Sequence, residues 1–192
     1  MKAIIFDVET TGFLKAKLTP LDQQPEIIEL GALFVEDGSV TAELTQLIKP
    51  KIEKLPTKII EVTGITDQDL IGMPSFGEYF NQLKNFFGSG VDYLICHNAS
   101  FDTGILQVEL RRYSENSLRG IAQTKSFNIE WPEKTICTML EYSSPGKKWM
   151  KLTELYEKIV GKPLDQTHRA LDDCKAVHEI LVKDNFYDRL TK

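Results

Sequence analysis

Cysteine is scarce in this chain of 192 residues, which has three. Cys96, Cys137 and Cys174 all stand among apolar neighbours, and none forms a C-x-x-C pair. That excludes a disulfide frame and a cysteine zinc site, and it predicts reduced thiols in the core of a cytoplasmic protein. No apolar run approaches the roughly 20 residues that span a bilayer, so no membrane partner is expected. The opening Met1-Lys2-Ala3-Ile4-Ile5-Phe6 is too short for a secretory signal and leads straight into an acidic pair. Basic excess is absent too: 23 Lys and Arg face 28 Asp and Glu, a net charge of −5. A protein that coats a phosphate backbone is usually basic. Nucleic acid would therefore be handled only at a confined site, with bound metal supplying positive charge. The chain also lacks repeats, low-complexity stretches and a convincing linker. At a length below the roughly 250 residues of a single core, it reads as one domain, 1–192.

What is present is a regular alternation of strand and helix signals. Residues 3–6 form an apolar run of buried-strand type, closed by Asp7, Glu9 and Gly12. A polar loop follows to about Pro25. Residues 27–36 and 40–48 read as strands around Asp37-Gly38, a hairpin signal. Residues 55–62 predict a short helix ended by Gly64. Ser75 opens a second helix with Phe76, Phe80, Leu83 and Phe87 at helical spacing and Gly88 as its stop. Residues 93–96 predict a strand, and Ser100 is the expected N-cap of a helix to about Tyr113. Residues 114–130 are polar and irregular and support no assignment. A last strand is expected over 135–138 with a helix to about Tyr142, then helices over 151–160 and 169–182 and a short terminal helix or tail. Interleaved strands and helices with one hairpin mean an α/β fold on a mixed sheet.

Three separate segments carry carboxylates where burial is expected. Alternate residues of a strand share a face, so Asp7 and Glu9 project together. Such a pair repels and loses solvation, and a divalent cation is the usual remedy. In the helix over 169–182, the apolar arc of Ala170, Leu171, Cys174, Val177, Ile180 and Leu181 encloses Asp173, while Asp172 falls on the polar face. An inward carboxylate needs a partner. For Asp172, favourable charge in a first helical turn suffices. His168 precedes Asp173 by five residues, about 140° around a helix, so it can cooperate only from the loop before it. In that place it suits a general base. Asp102 lies in the apolar arc of its helix, as does Glu109, and Asn98 and His97 sit at a strand end where open α/β sheets commonly place sites. His97 reads as a turn-shaping residue that hydrogen-bonds to the backbone. Asn98 serves either the turn or a ligand.

Four acidic side chains with one histidine suit metal-assisted hydrolysis of a phosphodiester by two ions about 3.5–4 Å apart. Oxygen donors suit Mg²⁺ or Mn²⁺.

Asp7-Val8-Glu9-Thr10-Thr11-Gly12 resembles the first motif of the DnaQ-like 3′→5′ exonucleases. His97-Asn98-Ala99-Ser100-Phe101-Asp102 resembles the second, and His168-Arg169-Ala170-Leu171-Asp172-Asp173 the third in its DEDDh version. Val62-Thr63-Gly64-Ile65-Thr66, with Pro74, resembles a linking segment of the same family. The resemblance runs over about residues 2–181. It implies a ribonuclease H-like fold with a central five-stranded mixed sheet flanked by helices. It implies that Asp7, Glu9, Asp102 and Asp173 hold two metal ions, that His168 is the general base, and that nucleoside 5′-monophosphates leave one at a time from a 3′ end. Glu9 and the backbone around Thr10 and Thr11 would hold the terminal nucleotide, with Phe13 or Leu14 packed on its base, a contact tolerant of base identity. Where many relatives carry Asp-Thr, this chain reads Cys137-Thr138, outside the metal ligands.

The run Lys147-Lys148-Trp149-Met150-Lys151 reads as a solvated loop with Trp149 anchored in the core, and Trp131-Pro132 as structural. The expected substrate is the single-stranded or frayed 3′ end of DNA, with RNA trimming and a non-enzymatic nucleic-acid-binding module as competing readings. The chain ends soon after its third motif, so a free-standing enzyme is expected and polymerase association is not indicated.

Overall fold

A computed structural model describes residues 1–88, 90–119, 129–144 and 148–190, the side chains of 115–119 excepted. Five strands form one sheet: β1 (Lys2–Thr10), β2 (Ile27–Glu36), β3 (Ser39–Leu47), β4 (Tyr93–Cys96) and β5 (Lys134–Cys137), in the order β3-β2-β1-β4-β5. The first three are antiparallel neighbours; β4 runs parallel to β1, and β5 to β4. Helices are α1 (Thr57–Thr63), α2 (Phe76–Phe87), α3 (Ala99–Arg119), α4 (Thr138–Glu141), α5 (Leu152–Val160), α6 (Ala170–Lys183) and α7 (Phe186–Leu190). This is the five-stranded mixed sheet with flanking helices of the ribonuclease H-like fold. Among the described residues, no helix is long and apolar enough to cross a membrane.

Alternation along β1 divides the interior. Ile4, Phe6 and Val8 pack under α2 and α3, against Phe76, Phe80, Phe87, Ile105 and Leu110. Ala3 and Ile5 pack on the other face, against Leu155, Cys174, Val177 and Ile180 of α5 and α6. Local signals fix the element ends. Asp37 (φ 48°) and Gly38 (φ 80°) make the tight left-handed hairpin turn. Ser75 and Glu78 cap α2 reciprocally, the Glu78 carboxylate accepting from Ser75 N at 2.7 Å.

As expected, Asp7 and Glu9 lie on one face near the end of β1, which pairs with β2 as far as Thr10 with a register shift at Glu9/Thr10. Three expectations change. α1 starts at Thr57, after Pro56, while Leu55 is buried in a small cluster with Ile28, Ile65 and Leu70. α3 begins at Ala99, one residue before its expected cap Ser100, because the Asn98 carbonyl accepts from Phe101 N and Asp102 N. It also runs on to Arg119, so the unassigned stretch is helical in its first part; residues 120–128 lie outside the described residues.

Glu109 and Arg112 explain how α3 holds the loop after β1. Both are buried and paired at 2.8 Å. Glu109 accepts from Ile27 N at 3.1 Å, and the Arg112 guanidinium donates to the carbonyls of Leu21, Gln24 and Pro25. A buried ion pair is tolerable when its remaining donors and acceptors are filled in this way.

Candidate active site

The odd-numbered face of β1 turns Asp7 and Glu9 toward the α5–α6 layer. In register, Asp7 stands opposite Gly31 of β2, and Glu9 opposite Glu29. A Cβ at Gly31 would lie 2.3 Å from backbone C of Ala170 and N of Leu171. Glycine is therefore what lets α6 begin directly on the sheet. The first turn of α6 then delivers Asp173, 8% exposed, while Asp172 remains on the surface and accepts from the Thr167 hydroxyl at 2.8 Å. Asp102 arrives from the other helix layer. β4 is parallel to β1, so α3 starts beside the C-terminal end of β1 and places Asp102, 3% exposed, in its own first turn. The carboxylates meet where ligands gather in open α/β sheets.

His168 sits on the loop just before α6, as its spacing from Asp173 requires. Its backbone is left-handed (φ 51°), a conformation that costs a non-glycine residue about 1–2 kcal/mol and persists where neighbours over-determine it. On one side, Gln166 Nε2 donates to Asp173 Oδ2 at 2.8 Å. On the other, Arg169 Nε lies 3.0 Å from both carboxylate oxygens of Glu29, and Ala170 N donates to Glu29 Oε2 at 3.0 Å. One ligand atom each from Glu9, His168 and Asp173 can be chosen so that all three lie within 4.8 Å of one another.

Burial, then mutual repulsion, governs the protonation of this cluster. Burial lifts the Asp7 carboxyl well above its usual range, reinforced by Asp102, Asp173, Glu9 and Glu29 in that order. Glu9 is pushed up to about 8 by burial and then by Asp173 and Glu29, against the pull of Arg169. Burial raises Asp102 to about 8 although N–H groups of its own backbone and of Val8 oppose it. Asp173 is raised by burial and held back by Gln166 and His168. Hard oxygen donors that resist ionising beside one another fit a divalent cation, which favours their charged forms.

These groups line a cavity of about 610 Å³. Asp7, Glu9, Asp102, Asp173, His168, Phe13 and Asn98 all face it. Thr10, Thr11 and Leu14 do not. The Thr10 hydroxyl donates to Gly12 O at 2.6 Å, Thr11 Oγ1 accepts from Glu26 N at 2.9 Å, and Leu14 packs toward Gly104 of α3. The His97 ring bonds to the backbone, as expected, but at a remote point and not within its own turn, and it also lines the cavity. Its Nε2 lies 3.2 Å from Met150 O, which only accepts, so Nε2 carries the proton and Nδ1, 3.0 Å away, accepts from the Thr138 hydroxyl. Trp149 departs from expectation: it is 57% exposed, not anchored in the core, and lines the cavity. Lys147 of the same run lies outside the described residues. Glu29 was not singled out from the sequence. Its signal is a charge inside the apolar run of 27–35.

Comparison with known proteins bears on this arrangement. The RNase_T family, described as Exonuclease, matches residues 4–181. The chain belongs to this family. The family match supports a 3′→5′ exonuclease. PolC-type DNA polymerase III of Clostridium perfringens (strain 13 / Type A) is 33% identical over 178 residues, 93% of this chain and 11% of that protein. The PolC-type polymerase of Staphylococcus haemolyticus (strain JCSC1435) is 32% identical over 181 residues, 94% of this chain and 11% of the relative. This exonuclease domain thus spans about a tenth of the length of those relatives. Its fold is that of Exonuclease X in complex with 5′ overhanging duplex DNA (TM-score 0.62, 20% identity, 96% of this chain and 92% of the other). It is also that of the nuclease domain of 3′hExo, a DEDDh family member, bound to rAMP (0.61, 18%, 95% and 92%). DEDDh exonucleases generally depend on a divalent metal.

Proposed function

We propose that this domain removes nucleoside 5′-monophosphates one at a time from the single-stranded or frayed 3′ end of DNA, with Asp7, Glu9, Asp102 and Asp173 holding two Mg²⁺ or Mn²⁺ ions and His168 acting as general base. The observation that carries the reading is the convergence of four carboxylates from β1, α3 and α6, two buried (Asp102, Asp173) and two half-buried (Asp7, Glu9), with the loop histidine, on one open cavity. Bound divalent cations would polarise the scissile phosphate and lower the pKa of the attacking water.

The chain's own residues do the rest. His168 takes the proton from the attacking water, its ring aimed by the left-handed backbone that Gln166 and Arg169 brace. Phe13, 86% exposed, stands edge-on to Phe101 with ring centroids 6.3 Å apart and offers an apolar face to the terminal base. Leu14 supports that loop from beneath. Because the side chains of Thr10 and Thr11 are engaged in the turn, their contribution to the terminal nucleotide is through the backbone. Asn98 caps α3 and also faces the cavity, so it serves both turn and substrate.

DNA is favoured because the relatives above 30% identity are DNA polymerases. Short RNA is the second reading, supported by a solved 3′-exonuclease that recognises a histone mRNA stem-loop (TM-score 0.59, 18% identity). A parallel digest of matched DNA and RNA single strands and duplexes in Mg²⁺ decides between them. Faster loss of the DNA strand supports the reading, and selective loss of RNA reverses it.

A further inference from the structure

Trp149 stands between two cavities. It and Met139 line the catalytic cavity and also a second one of about 410 Å³, bounded by Ala99, Ser100, Thr103 and Leu140. Phe13 belongs only to the first. The exposure of the indole is built in. Met150 is tied down through its carbonyl to the His97 ring and packs against the α5–α6 core, and Leu152 is buried at the start of α5. On either side of Met150, Trp149 and Lys151 stay outside. Leu140, 55% exposed, extends the apolar surface beside Trp149. Lys148 and Lys151 are exposed, line the catalytic cavity, and form no ion pair among the described residues. In a chain of net charge −5, two unpaired lysines around an exposed indole match a polyanion carrying flat apolar groups, which is the chemistry of a single-stranded nucleic acid.

We propose that Trp149 is a stacking platform for the nucleotide on the 5′ side of the terminal one, seated in the second cavity, with Lys148 and Lys151 on the flanking phosphates. This rests on the exonuclease reading and extends it, making the catalytic cavity one station on a longer track. The platform grips the strand left behind after each cut, so it acts on retention of the strand and leaves the terminal mononucleotide untouched.

The test is fluorescence anisotropy of 5′-labelled dT8 and U8 in Ca²⁺, which stands in for Mg²⁺ while slowing cleavage, with wild type, Trp149→Ala and Trp149→Phe. Loss of one stacked base weakens binding about tenfold or more. The expected result is that loss for Trp149→Ala, near-complete retention for Trp149→Phe, and unchanged inhibition of cleavage by dTMP in all three. Replacing Lys148 and Lys151 together by Ala should reduce the slope of log K against log salt by about 1.4, or 0.7 per released phosphate contact. Trp149→Ala binding both octamers as wild type does would overturn the platform while leaving the exonuclease reading intact. Failure of wild type to bind or shorten either octamer would overturn both.

Discussion

Burial and then the neighbouring carboxylates Asp102, Asp173, Glu9 and Glu29 all push the Asp7 carboxyl above its ordinary range. That makes it the residue whose removal is most informative. Asp7→Ala should abolish cleavage in Mg²⁺ with little loss of folded protein, read by activity beside circular dichroism. His168→Ala should lower kcat about 10²–10⁴-fold at neutral pH, the usual worth of a general base, with a smaller change in KM. Glu9 gives a pH signature without substrate. Its folded pKa, about 8, lies above the ordinary 4.5, so the native state keeps its proton to higher pH than the unfolded chain. Stability from this group is full below about pH 4.5 and is lost as pH rises toward 8. In EDTA, the melting temperature should therefore fall over that window, and Glu9→Gln should flatten the fall. A slope identical in the variant would contradict the assignment. The inward and outward aspartates of α6 were legible from helical periodicity alone. Glu29 was not, because the guanidinium that makes sense of it is 140 residues further along the chain. Trp149 was misread because tryptophan is usually covered, and here Met150 takes the inward position.

At the level of elements, the decisive contact is between one residue of β2 and the start of α6. The notion that Asp173 faces the sheet follows from the sequence; how close it comes is set by Gly31. Gly31→Ala must push α6 away from Asp7. Overpacking of this kind costs about 1–3 kcal/mol, at about 2–4 °C of melting temperature per kcal/mol for a chain of this size. Activity should fall by more than stability, because Asp173 and His168 move together. Arg112→Ala tests the brace on the other helix. It leaves Glu109 buried without its cation, which costs about 3–5 kcal/mol, and thermal unfolding should show it. Strand and helix identities were readable from period, caps and glycine stops. The start of α3 was not, because a backbone group, the Asn98 carbonyl, starts it rather than the Ser100 hydroxyl that the sequence points to.

Taken whole, the molecule is an acidic protein that concentrates its acidity where a polyanionic substrate must approach. On the proposed reading a bound divalent metal would resolve that conflict, and metal binding should also stabilise the fold by about 2.7 kcal/mol at a hundredfold excess over Kd, visible as a rise in melting temperature on adding Mg²⁺ to EDTA-treated protein. The fold class was legible because three motifs in order carry a family resemblance across the chain. The meeting of their side chains on one cavity needed the parallel pairing of β4 with β1, which no local pattern encodes. The most direct measurement is a gel time-course of a 5′-labelled DNA single strand with wild type and Asp173→Asn, in Mg²⁺ and in EDTA. The account predicts a ladder that shortens by single nucleotides from the 3′ end, for wild type in Mg²⁺ only. A strand left full-length at enzyme excess, or one cut internally, would contradict it.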